Sequence, residues 1–149
     1  MSNNTAAKRI EVNGIVQGVG FRPFVYNLAN QHHLTGEVAN TASGVLIHIQ
    51  GSPERIQAFE TDLSAKCPPL AHVVNISGRS ESLKPYVEFR ISKSRGQEQM
   101  STLISPDVSI CEDCLRELFD PDNRRYQYPF INCTNCGPRY AIIDDIPYD

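Results

Sequence analysis

No apolar run in the 149-residue chain approaches the roughly 18 to 20 residues that a bilayer-spanning helix needs. The opening MSNNTAAKRI also lacks the apolar core of a secretion signal. A transmembrane or exported protein is therefore not expected, and the chain reads as cytoplasmic. Excess positive charge is missing too: 14 Lys and Arg stand against 17 Asp and Glu, for a net charge of -3, so no global field gathers nucleic acid or anionic lipid. Any anion must be bound locally.

What remains is a composition inside the globular range, unevenly divided. Residues 1–91 hold all the histidines and a slight excess of positive charge. Residues 92–149 hold no histidine, four of the 5 cysteines and a clear acidic excess, and they open with the polar SKSRGQEQMS. Such a shift marks a boundary. We expect a first domain over 5–92, a linker over 93–106 and a small second unit over 107–149.

Periodicity fills in the first domain. KRIEVNGIV alternates as a strand does, and Phe24, Val25, Leu28 and Ala29 recur at helical spacing between Phe21 and His33. Two β-branched runs, Glu37 to Asn40 and Val45 to Gln50, read as a hairpin. SPERIQAFETDLSAKC restores helical period, with Ser52 as its cap and Ile56, Phe59 and Leu63 on one face. AHVVNISG and PYVEFRIS close the domain as strands, the second alternating Tyr86, Glu88, Arg90 against Val87, Phe89, Ile91. The order β, α, β, β, α, β plus a final strand predicts an α+β fold, a ferredoxin-like sandwich with two helices on one face of a mostly antiparallel sheet.

Two patterns carry chemistry. In GIVQGVGFR, glycines 18 and 20 sit between a strand and a helix, with Arg22 in the first helical turn. Converging backbone N–H groups, a helix N-terminus and a guanidinium together suit a phosphoryl group, although the same string also serves as a plain glycine-rich turn with a surface arginine. The candidate phosphate-binding residues are Gln17, Gly18, Val19, Gly20, Phe21 and Arg22. The second pattern is Cys111-x2-Cys114, eighteen residues, then Cys133-x2-Cys136, the spacing of a four-thiolate site. Zinc is favoured over iron and over a pair of redox motifs, as one structural ion whose four protein sulfurs leave no open position. No role is expected for His32 and His33 beyond surface positions at the end of a helix, nor for His48 in a strand without a nearby acid, and Cys67 is read as filler at a helix end. Arg124 and Arg125 are the only basic pair near the cysteines, too little for a nucleic-acid grip, and GVLIHIQ lacks the aromatics of an RNA-stacking sheet.

The wording of the first motif is more specific than its spacing. GIVQGVGFR resembles the G-x-V-Q-G-V-G-F-R signature of acylphosphatases, and GEVANTASG resembles their G-x-V-x-N-x-x-x-G motif, with Ser43-Gly44 where Asp-Gly is usual. The resemblance implies that Arg22 holds the phosphoryl group and that Asn40 orients the attacking water, both being catalytic; otherwise Asn40 is a strand-end residue suited to an unusual backbone. With PDVSICEDC and RRYQYPFINCTNCGPRY added, the whole chain resembles the N-terminal portion of the HypF family, carbamoyltransferases of [NiFe]-hydrogenase maturation. That implies carbamoyl phosphate as substrate, its hydrolysis to carbamate as the first step of carbamoyl transfer, and a maturation partner whose cysteine accepts the carbamoyl group. A second cysteine set and a nucleotide-binding motif are missing, so the chain reads as a part of such a protein, limited to the hydrolytic step. The alternative reading is a non-catalytic anion-binding and zinc-dependent interaction module.

Overall fold

A computed structural model describes residues 4–93, 109–133 and 136. The first of these stretches forms β1 (Ala6–Ile15), α1 (Phe21–Gln31), β2 (Thr35–Thr41), β3 (Gly44–Gly51), α2 (Pro53–Ala65), β4 (His72–Glu81) and β5 (Phe89–Ile91), and a short helix, α3 (Glu112–Phe119), follows in the second. The element order is the expected one. Most of the linker expected over 93–106 lies outside the described residues.

The sheet runs β4-β1-β3-β2-β5, antiparallel except for the β2–β5 pair. Register decides its two faces. Val38, Ile47 and Ile10 lie in one row across β2, β3 and β1, and all three are fully buried. Against that face pack Val25, Leu28 and Ala29 of α1 with Ile56, Phe59 and Leu63 of α2. Side chains alternate along a strand, so the neighbouring row, Glu37, His48, Arg9 and Arg79, falls on the opposite face. The helices start and stop on local signals. Ser52 caps α2 by accepting from the Arg55 amide at 3.4 Å, and Pro53 stands at N1, where its missing N–H costs nothing.

The last strand is shorter than the sequence suggests. Only Phe89–Ile91 pair with β2, and Val87 is 91% exposed and Ile91 is 45% exposed, so the expected alternation of Val87, Phe89 and Ile91 fails except at Phe89. The reason is topological. β4 and β5 occupy opposite edges, and residues 82–88 must span the sheet between them. They do so as a strap over the polar face. Gln50 Nε2 donates to the Lys84 carbonyl at 2.9 Å, the Lys84 amide donates back to Gln50 Oε1, and the Tyr86 ring lies 5.2 Å from the His48 imidazole. Beyond the strap, Arg90 and Ser92 both donate to Glu37.

Two histidines read as idle have partners. His48, buried in β3, meets Glu81 of β4 through Nδ1 at 2.7 Å, an acid 33 residues away that only strand pairing brings close. His32 is half-buried, not a surface residue, and its Nε2 meets Asp62 of α2 at 2.9 Å, joining the two helices. His33 is exposed, as expected, and turns the chain with φ 54°. Cys67 donates to the Leu63 carbonyl at 3.1 Å at the end of α2, in keeping with its expected filler role.

Two predictions test this packing. Phe89→Ala should destabilise the domain by about 3–5 kcal/mol in chemical denaturation, whereas Val87→Ala should stay within about 0.5 kcal/mol; equal effects would restore the alternating strand. The Asp62 carboxyl is held below its ordinary 3.8 by the Lys66 hydrogen bond and then by His32. Its contribution to stability is therefore present above that value and is lost as pH falls below it. Urea midpoints should drop less on acidification in Asp62→Asn than in the parent chain, and an identical acid slope would contradict the assignment.

Candidate functional site

Residues 16–20 leave β1 and enter α1 as a loop pinned at both ends. Val16, Val19 and Phe21 are buried in the core, which fixes the path of the backbone between them. Gly18 at φ 71° and Gly20 at φ 77° take left-handed conformations that a side chain would strain. Gly20 is the cap residue of α1 and supplies no side-chain hydrogen bond, and Pro23, three residues on, has no N–H to offer. Arg22 is half-buried in the first turn of that helix, so its guanidinium starts where the helix dipole is positive.

Gln17 holds this loop to the far side of the site. Its Nε2 donates to the Thr41 carbonyl at 2.7 Å and to the Gly44 carbonyl at 2.9 Å, using both amide hydrogens. Asn13 adds a bond from Nδ2 to the Ser43 carbonyl at 2.7 Å. Both residues thus grip the turn that immediately follows Asn40. Asn40 itself is 1% exposed, next to last in β2 and in register with Val45 and then Val12. It faces the helix side of the sheet, at the end from which the 16–20 loop departs.

The structure therefore brings the loop bearing Arg22 and the strand end bearing Asn40 to one end of the sheet. Within the six candidate phosphate-binding residues it also separates roles. The Gln17 side-chain amide is engaged with the turn, and the Val19 and Phe21 side chains are in the core, so these three can offer an anion only their main-chain N–H groups. Sequence reading passed over Asn13 and the scaffolding bonds of Gln17, because both act through a turn about thirty residues away.

The four cysteines converge. Their sulfurs all lie within 4.8 Å of one another, with Cys111 to Cys133 at 3.6 Å, Cys114 to Cys136 at 3.8 Å and Cys133 to Cys136 at 3.9 Å. Metal–sulfur bonds of about 2.3 Å in a tetrahedron put sulfurs roughly 3.8 Å apart, so the set fits one tetrahedral ion and is too wide for disulfides. Cys111 is the cap of α3 and accepts from the Cys114 amide at 3.5 Å, while the Cys133 amide points to Cys136 at 3.3 Å. Burial, followed by the three neighbouring sulfurs, pushes the Cys114 thiol well up. Burial works against a thiolate at Cys136, but hydrogen bonds from the backbone of Cys111 and Cys133 together with those from the Cys114 and Cys133 thiols bring that thiol down to about 7. Four adjacent thiolates need a cation, and metal binding would displace the protons that remain. Ile131 and Leu118 pack around the sulfurs, and Leu70 touches both this cluster and the main core.

Comparison with known proteins accords with both halves. Residues 8–91 match the acylphosphatase family and residues 110–143 the HypF finger. An acylphosphatase of Thermotoga petrophila is 40% identical over 86 residues, 57% of this chain and 94% of that protein. The chain belongs to the acylphosphatase family. With the finger attached, it corresponds to the N-terminal region of HypF proteins: a probable carbamoyltransferase HypF of Methanocaldococcus jannaschii is 46% identical over 143 residues, 95% of this chain. A full-length HypF solved in a phosphate- and nucleotide-bound form superposes with a TM-score of 0.90 at 49% identity, over 97% of this chain. The chain spans about a fifth (19%) of each of these two longer proteins. Among the described residues no helix is long and apolar enough to cross a membrane.

The sulfur geometry predicts that Co2+ titration produces thiolate charge-transfer and tetrahedral d–d bands saturating at one equivalent, both lost in Cys114→Ser. Bands that do not saturate at one equivalent would contradict a single tetrahedral site.

Proposed function

We propose that this acylphosphatase-like domain hydrolyses an acyl phosphate, with carbamoyl phosphate as its substrate. The observation that carries this reading is the pair of hydrogen bonds from Gln17 to the β2–β3 turn, which ties the loop of Arg22 to the strand end of Asn40. The Arg22 guanidinium takes two phosphoryl oxygens, and the main-chain N–H groups of 17–22 with the α1 N-terminus take the rest of the charge. Asn40 orients a water in line with the bond to the acyl oxygen. Attack forms a new P–O bond and breaks the one to the acyl oxygen, whose electron pair leaves with carbamate, while the proton of the water passes to the phosphate. A mixed anhydride has a good leaving group, so positioning and charge neutralisation suffice, with no covalent intermediate.

In the longer proteins this step would be the first of carbamoyl transfer in [NiFe]-hydrogenase maturation. The carbamate would go on to the cysteine of a partner protein and then to an iron-bound cyanide ligand. Residues 107–149 form a second unit holding one structural zinc through Cys111, Cys114, Cys133 and Cys136, and residues 5–92 form the first; the setting is cytoplasmic. No contact with nucleic acid or membrane is proposed.

The test is phosphate release from carbamoyl phosphate and from an aryl acyl phosphate, corrected for spontaneous hydrolysis. Arg22→Ala and Asn40→Ala should each lower the rate at least about 100-fold at matched circular dichroism, the range seen when one stabilising donor of a transition state is removed. Parent-chain turnover no faster than background, together with saturable binding of phosphate, would replace hydrolysis with the anion-binding reading.

A further inference from the structure

Arg125 is one of the two arginines in the basic pair, yet the two are placed differently. Arg124 is exposed. Arg125 keeps 26% of its side-chain surface and is engaged on several sides. Its Nε donates to Glu117 Oε2 at 2.7 Å and one terminal nitrogen donates to the same oxygen, fixing the guanidinium on α3, the helix that Cys111 caps and that carries Cys114. Its other terminal nitrogen donates to the Asn132 carbonyl, the residue before Cys133. Its backbone is set in turn: the Arg125 amide donates to Asn123 Oδ1 at 2.9 Å, and the Gln127 amide, at a residue with φ 56°, bonds back to the Leu118 carbonyl of α3 at 2.9 Å.

We propose that Arg125 is a positioning residue for the four-cysteine metal site. It holds the two cysteine pairs, which the sequence separates by eighteen residues, in register for one ion, and it sets a fixed positive charge beside the sulfurs. The proposal rests on the metal-binding reading of those cysteines. Four thiolates around a divalent ion leave a net charge of about -2, and a half-buried guanidinium offsets part of it while donating hydrogen bonds to the frame. Lysine cannot do both, because a single ammonium lacks the planar fork that reaches a carboxylate and a carbonyl together.

The experiment uses the zinc-loaded chain and reads the rate at which a chelating dye removes the metal, with Co2+ spectra in parallel. Arg125→Ala should lose zinc about 10 to 100 times faster than the parent chain, the usual cost of removing an outer partner of a metal ligand. Arg124→Ala should match the parent. Arg125→Lys should fall between, restoring charge without the fork, and in the Co2+ form of Arg125→Ala the sulfur-to-metal charge-transfer band should move to lower energy, as thiolates that lose a neighbouring positive charge become easier to oxidise. Should Arg125→Ala fail to fold, Glu117→Gln, which removes only the carboxylate that anchors Arg125, should still accelerate zinc loss. Rates for Arg125→Ala or Glu117→Gln equal to that of Arg124→Ala, with an unmoved band, would overturn the proposal. A parent chain that takes up no metal would instead sink the metal reading on which it rests.

Discussion

One carboxamide holds together the two segments of the candidate site. The Gln17 side chain, buried and donating to two carbonyls of the β2–β3 turn, ties a glycine loop to a strand end at one end of the sheet. Burying an amide is unfavourable unless its hydrogens are satisfied, and here both are. Satisfying them requires the turn at 41–44 to sit where it does, with Asn40 one residue before it. The same constraint explains why two left-handed glycines fall within the loop: between the buried anchors Val16, Val19 and Phe21 the backbone must reverse into α1 within very few residues.

A second tie organises the cysteine segment. Among the described residues few apolar side chains surround the sulfurs, chiefly Ile131, Leu118 and Ile110, less than a short chain needs to be ordered by burial alone. The four sulfurs and the contacts of Arg125 take over that work. Leu70, which follows Pro68-Pro69 at the end of α2, touches both clusters and makes the cysteine segment continuous with the core of the first domain. Among the described residues, Leu70 is an apolar side chain that the two hydrophobic clusters share.

The parts legible in the sequence were those set by local rules. Helical spacing gave both long helices, Ser52 and Pro53 marked the start of α2, and the order of the elements along the chain of the first domain followed from alternation and glycine turns. The motif GIVQGVGFR and the cysteine spacing pointed to the two candidate centres because each packs several residues of one role into a short span. What escaped were interactions between distant segments. PYVEFRIS alternates like a strand, yet the need to cross from one sheet edge to the other turns its first half into a strap. His48 had no acid nearby in sequence, but the pairing of β1 with β3 and β4 supplied Glu81. His32 found Asp62 only because α1 and α2 pack side by side. Arg125 looked like half of a basic patch until its partners on α3 and beside Cys133 were visible.

The central claim is that one end of the sheet, assembled through Gln17, binds a phosphoryl group. The most direct measurement is an amide NMR titration of the chain with inorganic phosphate. The account predicts saturable shifts concentrated at Gly18, Gly20, Arg22 and Asn40, lost in Gln17→Ala while the rest of the spectrum is retained. Shifts centred elsewhere, or the same saturable shifts in Gln17→Ala, would contradict it.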